Sequence, residues 1–199
     1  MSIPRLGRYN PGPIGYLCEP MPFASLFRGN PHRRAAQAAY AQIVARAREP
    51  AFFLAGGVPD TLDGRFELLA LHAFLVLNRL KAEHAASADF AQMLFDAMFA
   101  DLDRGLREMG AGDLGVGRRV KDMAKGFYGR IVAYEKGLAA GDEELRRALG
   151  RNLYGTAPAA AAAEAMARYV RCQAAELARE PLERLLSGEV SFGPLEIEK

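Results

Sequence analysis

The sequence predicts an all-α protein, a single-domain bundle of about six to seven helices with a nearly fully apolar central helix. Three observations carry that prediction. Alanine, leucine, arginine and glutamate dominate and runs of β-branched residues are scarce, which favours helix over strand. Apolar residues recur at helical spacing through most of the chain. With 199 residues, 50% hydrophobic and 25% charged, one domain has apolar side chains enough for a sizeable core.

Residues 1–22 contain RYNPGPIGYLCEPMP and are expected to form an irregular or disordered extension. Phe23, Leu26 and Phe27 precede Arg28, Arg33 and Arg34, a short apolar and basic patch suited to packing back onto the domain or to a membrane interface. Pro31 opens a first helix with Asn30 as its cap, and Pro50 ends it. PAFFLAGGVPD reads as a turn-rich connection in which Phe52, Phe53 and Leu54 plug the core. Asp60 or Thr61 caps the next helix, about Leu62 to Ala85. Its centre, LLALHAFLVLN, is almost all apolar, with His72 and Asn78 as exceptions. Glu67 and Arg79 bracket it too closely for a membrane span, so it is the expected central buried helix.

Ser87 is a good N-cap for a helix from Phe90 to Met109. On a wheel of about 100° per residue, Phe90, Leu94, Met98, Phe99, Leu102 and Leu106 belong to an apolar arc covering well over half the circumference. Asp101 falls inside that arc, where a carboxylate needs a partner. Arg119 or Arg130, on the shoulder of the second helix of this hairpin, is the expected one. That second helix, about Val116 to Leu138, has an apolar stripe through Val120, Met123, Phe127, Ile131 and Tyr134, with Arg118, Lys121, Lys125 and Lys136 roughly opposite. In the link GAGDLGVG, Gly110 suits a left-handed position and Asp113 or a nearby backbone group can cap the second helix. Gly126 and Gly129 lie inside that helix, where each costs up to about 1 kcal/mol relative to alanine. Close approach of another helix is the expected compensation.

Asp142 leads into EELRRALGRNLYG, a short amphipathic helix stopped by Gly155. Thr156 and Pro158 start another, whose alanine-rich first turns have strong propensity and whose face is Met166, Tyr169, Val170, Gln173 and Leu177. PLERLLSG adds a final turn or two. Residues 188–199 are expected to be a tail in which Phe192, Leu195 and Ile197 dock weakly. Residues 23–187 thus form one helical domain, without internal repeat or linker.

Little in the chain suggests reaction chemistry. His32, His72 and His84 lack the spacing to carboxylate or cysteine that closes a metal site. His72 could ligate haem, but a hydrogen-bonded core histidine is the simpler reading. GAGDLGVGRR lacks the preceding strand and reaching lysine of a phosphate loop, and Asp113 sets negative charge where the phosphate would sit. No serine or cysteine sits in a nucleophile elbow. Cys18 and Cys172 are far apart and read as free thiols in a reducing compartment. There is no apolar secretory h-region and no run long enough to span a bilayer. The net charge of +2 says little about partners, but the basic stripe on the second hairpin helix marks a candidate contact face.

FDAMFADLDRGLREMGAGDLGVGRRVKDMAKGFYGRIVAYEKGL resembles the central signature of the ubiquinol–cytochrome c chaperone family, and PAFFLAGGVPDTLDGRFELLALHAFLVLNRL resembles the start of the same domain in its bacterial members. The order is phenylalanine-rich helix, Asp-Leu-Gly turn, basic helix and Phe-Tyr-Gly-Arg. Met21, opening MPFASLFRGNPHRR, resembles a natural family start. The resemblance implies an all-helical, non-enzymatic assembly factor of the cytochrome bc1 complex with no cofactor, holding newly made cytochrome b. It further implies a small helper protein and the ribosome exit region as partners, no DNA, and a cytoplasmic location with peripheral contact at the inner face of the plasma membrane. Two other readings compete on the residues alone. One is a helical protein holding haem, quinone or lipid near His72 and Tyr128. The other is an RNA-contact module built on the arginine-rich N-terminus and the basic helix.

Overall fold

The computed structural model describes residues 31–108, 110, 113–155 and 158–196. Cys18, Phe23, Leu26, Phe27, Arg28, Asn30, Met109, Thr156 and Ile197 lie outside them, as do the side chains of Pro31 and Asp113. The described elements are α1 (Pro31–Ala47), α2 (Pro50–Leu54), α3 (Leu62–Lys81), α4 (His84–Glu108), α5 (Asp113–Ala140), α6 (Asp142–Leu149), a π-helical turn (Gly150–Tyr154), α7 (Ala160–Arg179) and α8 (Leu182–Leu186). No strand occurs among the described residues.

α3 is buried at every position from Glu67 to Leu77, and α1, α4, α5 and α7 pack against it. All-round burial is what a helix apolar on every side requires. Each large side chain taken fully from water, such as Phe74 or Leu71, contributes about 1.5–3 kcal/mol of transfer free energy. Thr61 caps the helix, its hydroxyl accepting from the Gly64 amide at 3.1 Å. The second layer pairs α1 with α4 and α5 with α6. On α7 the expected face is the buried one: Met166, Tyr169, Val170, Gln173 and Leu177.

Several local expectations are corrected. PAFFL is helical rather than turn-like; Phe52 is buried and Phe53 half-buried, but Leu54 is 86% exposed. Ser87 lies within α4 rather than capping it, and its buried hydroxyl donates to the Leu80 carbonyl at 2.6 Å, tying α4 to the end of α3. Gly126 and Gly129 have no helix crossing against them. A Cβ at Gly129 would meet nothing within 4 Å, and one at Gly126 would meet the Arg130 side chain. The close crossing falls further along the helix, where a Cβ at Gly137 would stand 2.8 Å from the Leu145 Cα. Gly110, at φ +83°, adopts the left-handed conformation expected after α4, and Asp113 is the first residue of α5.

The tail is bound more tightly than its composition suggests. Gly188 turns the chain at φ +92°. Gln42 then clamps the segment on both sides, donating to the Gly188 carbonyl at 2.5 Å and accepting from the Val190 amide at 3.1 Å. Gln173 accepts from the Gly193 amide at 2.8 Å, and Arg46 donates to the Gly193 carbonyl. Two amide side chains and one guanidinium thus satisfy a backbone that has no sheet partner.

Candidate functional site

An open groove of about 1080 Å³ runs between the second half of α1, the start of α3, the end of α4, the first half of α5 and the π-helical turn. Leu69 and Leu106 are among the buried residues that line it, with half-buried Phe66, Leu102 and Met123 beside them. Leu62, 55% exposed, stands at its edge. Charged side chains of both signs rim it, among them Arg48, Asp63, Glu108, Arg119 and Asp122. An apolar floor with a charged rim is what an amphipathic segment of another protein fills.

Ion pairing inside the groove differs from the sequence expectation. Asp101 meets neither Arg119 nor Arg130. It accepts from the Tyr40 hydroxyl at 2.8 Å and pairs with Arg104 of its own helix. The reason is rotation: Asp101 lies at the edge of the buried arc, within reach of α1 and of the residue one turn on. Burial, then Asp101, pushes the Tyr40 hydroxyl pKa up, so it remains a donor. Arg130 instead grips Glu67 with both arms of its fork, Nε to Oε2 at 2.5 Å and Nη2 to Oε1, with its guanidinium 5.4 Å from the Phe66 ring centre. Glu67 is 7% exposed, and only a paired carboxylate is tolerated there. Sequence reasoning missed that role for Glu67. The signal was present as an acid one turn inside a helix otherwise apolar on that side.

The basic stripe is on the surface. Arg118, Lys121 and Lys125 are exposed on α5, as is Arg119, which also lines the groove together with Gly126. Lys136, further along, is drawn into a 3.1 Å ion pair with Glu144 of α6. Of the methionines on this hairpin, Met98 is buried and Met93 and Met123 are half-buried.

His72 does not line the groove. It is fully buried, its Nδ1 at 2.7 Å from the Leu68 carbonyl and its Nε2 at 2.8 Å from the Tyr169 hydroxyl. A carbonyl only accepts, so Nδ1 carries the proton and Nε2 accepts from Tyr169. That hydroxyl in turn accepts from Arg46 Nε at 3.0 Å, and Arg46 reaches Glu49 at 2.6 Å. The rings of Phe52 and Phe192 stand edge-on at 5.1 Å from the imidazole. Burial, with a smaller contribution from the nearby Arg46 charge, pushes the ring pKa down to about 4, so it is neutral at physiological pH. Both nitrogens are occupied, which suits a core histidine and not an axial ligand. Tyr128 is not among the groove residues either. Among the described residues no group of three or more His, Cys, Asp or Glu could hold a metal ion, and no helix is long and apolar enough to cross a membrane.

Comparison with known proteins gives a consistent result. The family model described as ubiquinol-cytochrome C chaperone matches residues 54–192. The chain is 30% identical to the ubiquinol-cytochrome-c reductase complex assembly factor 1 of Xenopus laevis over 78% of its own length and 79% of that protein. Against the Mus musculus protein of the same name it is 28% identical over 78% of this chain but 54% of the relative, so it spans about half of the mouse protein. The crystal structure of the Cbp3 homolog from Brucella abortus matches with a TM-score of 0.76 at 37% identity, covering 87% of this chain and 98% of that one. The chain belongs to the ubiquinol–cytochrome c chaperone family.

Proposed function

We propose that this protein is a non-enzymatic assembly chaperone of the cytochrome bc1 complex and that it seats a segment of cytochrome b in the groove between α1, α3, α4 and α5. Family membership and relatives named as assembly factors of that complex support the reading. The observation that carries the choice of site is the groove itself, an apolar floor left uncovered beside an exposed Leu62 and bordered by charge. A chaperone needs such a surface to shield an apolar client before its own partners arrive, and it needs no reacting group. The exposed cations Arg118, Lys121 and Lys125 lie on α5 outside the groove lining and are proposed as a second client contact, with Lys136 held back by Glu144.

The test is capture of cytochrome b from bc1-containing membranes by the tagged protein. Leu62→Asp adds charge at an exposed position, so it leaves the thermal midpoint unchanged while reducing capture of cytochrome b. Charge reversal at Arg118, Lys121 and Lys125 together impairs bc1 assembly without unfolding the protein. Undiminished capture by Leu62→Asp would remove the groove from the proposal, and normal bc1 assembly in the charge-reversed variant would remove the stripe.

A further inference from the structure

We infer that Gly126, Arg130 and Glu67 position the α5 wall of the groove. The glycine clears a path for the Arg130 side chain, and the arginine's two-pronged grip on Glu67 fixes where that wall stands against α3. This rests on the groove being the client seat proposed for it and concerns what gives the seat its shape. All three residues line the groove, together with Phe66.

The path follows from helix geometry. The Cα–Cβ bonds of an α-helix tilt towards its N-terminus, so a long side chain lies back over the residue four positions earlier. For Arg130 that residue is Gly126, and a Cβ there would stand 2.6 Å from Arg130 Nη1 and 3.8 Å from its Cζ. With the path open, Arg130 reaches Glu67 of α3 through Nε at 2.5 Å and through Nη2, its guanidinium carbon 5.4 Å from the Phe66 ring centre. A glycine inside a helix weakens it, and what this one makes room for is the passage of Arg130.

Stability alone does not call for the pair, because apolar residues of like volume in place of a buried ion pair often leave a fold as stable or more so. What the pair supplies is direction. Two hydrogen bonds in one plane admit one relative placement of α3 and α5, whereas apolar contact is non-directional and lets packed helices slide. The wall has little else to fix it. From Gly115 to Gly126, Val116 is the one buried side chain. The fork at Arg130 is therefore the point from which the wall projects along the groove.

Two measurements on the full chain test this. Spin labels at Arg48→Cys and Arg119→Cys, exposed positions on the α1 and α5 walls, report the width of the groove once Cys18 and Cys172 are replaced by serine. The distance distribution is narrow in that parent and broadens when Glu67→Leu and Arg130→Met are added, although the thermal midpoint stays close to the parent's. It broadens likewise in Arg130→Lys, which keeps the charge and loses the fork, and in Gly126→Ala, whose Cβ displaces the guanidinium. A wall that spends part of its time at the wrong width lowers apparent affinity, so capture of cytochrome b by the tagged Glu67→Leu, Arg130→Met variant falls about threefold or more. An unchanged distance distribution in Arg130→Lys and in the double variant, or wild-type capture by the double variant, would overturn the inference. Should the double variant unfold, Arg130→Lys carries both readings. Capture that depends on Leu62 but not on the pair keeps the groove as client seat and removes this inference. Capture indifferent to Leu62, with the distribution broadened, removes the seat and leaves the positioning of the wall.

Discussion

Acidification should destabilise this protein through His72 before its carboxylates matter. The ring is fully buried among Phe52, Tyr169 and Phe192, with Arg46 as the nearest charge, and its pKa falls from 6.5 to about 4. The unfolded chain therefore binds a proton in a window where the folded one does not, and stability falls as pH drops from 6.5 towards 4. The whole window is worth about 3 kcal/mol, of which about 2 kcal/mol is gone by about pH 5. Urea unfolding between neutrality and that pH measures it. The control is His72→Gln, which keeps a polar side chain on Tyr169 but cannot titrate. Its stability is lower at neutral pH and nearly flat across the window. Asp60, Asp103 and Glu144, whose pKa values are lowered chiefly by hydrogen bonds from Arg65, Arg107 and Lys136, act at lower pH and equally in both proteins. Parallel pH slopes for wild type and His72→Gln, or a folded-state imidazole that titrates near 6.5 by NMR, would refute the reasoning.

Two further outcomes test packing and pairing. Gly137→Ala places a Cβ against the Leu145 backbone, so urea unfolding should show a loss of about 1–2 kcal/mol, whereas Gly129→Ala enters open space and should gain about 0.5–1 kcal/mol. Glu67→Ala strands the Arg130 guanidinium at the groove floor and should cost about 2–3 kcal/mol, less than a sealed pair because Arg130 can turn to water in the groove. The double variant Glu67→Leu with Arg130→Met should recover most of that loss in the same assay.

The long helices were legible because each carries its own period. α3 is apolar on all sides, α7 on one face, and the proline, glycine and threonine signals at Pro31, Thr61, Gly110 and Gly155 fall where elements begin or end. What escaped the sequence was every feature that depends on which helix stands opposite. Asp101 could be placed in an arc but not told that Tyr40, 61 positions earlier, would reach it. Arg130 was visible as a shoulder cation, yet its partner Glu67 is set by the crossing of α3 and α5. Gly126, Gly129 and Gly137 look alike in the sequence, and only the approach of α6 distinguishes the third. The groove was equally hidden, because Leu62, Leu102 and Met123 obey ordinary core periodicity and differ from core residues only in having nothing placed over them.

The two halves of α5 are built for different tasks. From Phe127 onward the helix is anchored by buried Phe127, Ile131 and Tyr134 and by the Gly137–Leu145 crossing. Before it, between Asp113 and Gly126, Val116 is the one buried side chain among those described, and the unpaired cations add repulsion. Local stability tracks buried contact, so the groove wall should open more readily than the rest of its own helix. Native-state hydrogen exchange should show amides from Gly117 to Gly126 exchanging about tenfold or more faster than those from Tyr128 to Leu138. Occupancy of the groove by a client segment of cytochrome b should slow the first group and leave the second unchanged. A wall that yields can fit client segments of differing bulk over a fixed floor, which a rigid cleft cannot. Uniform protection along α5 would mean that the wall is as rigid as the core, and the adaptable fit would have to come from the client.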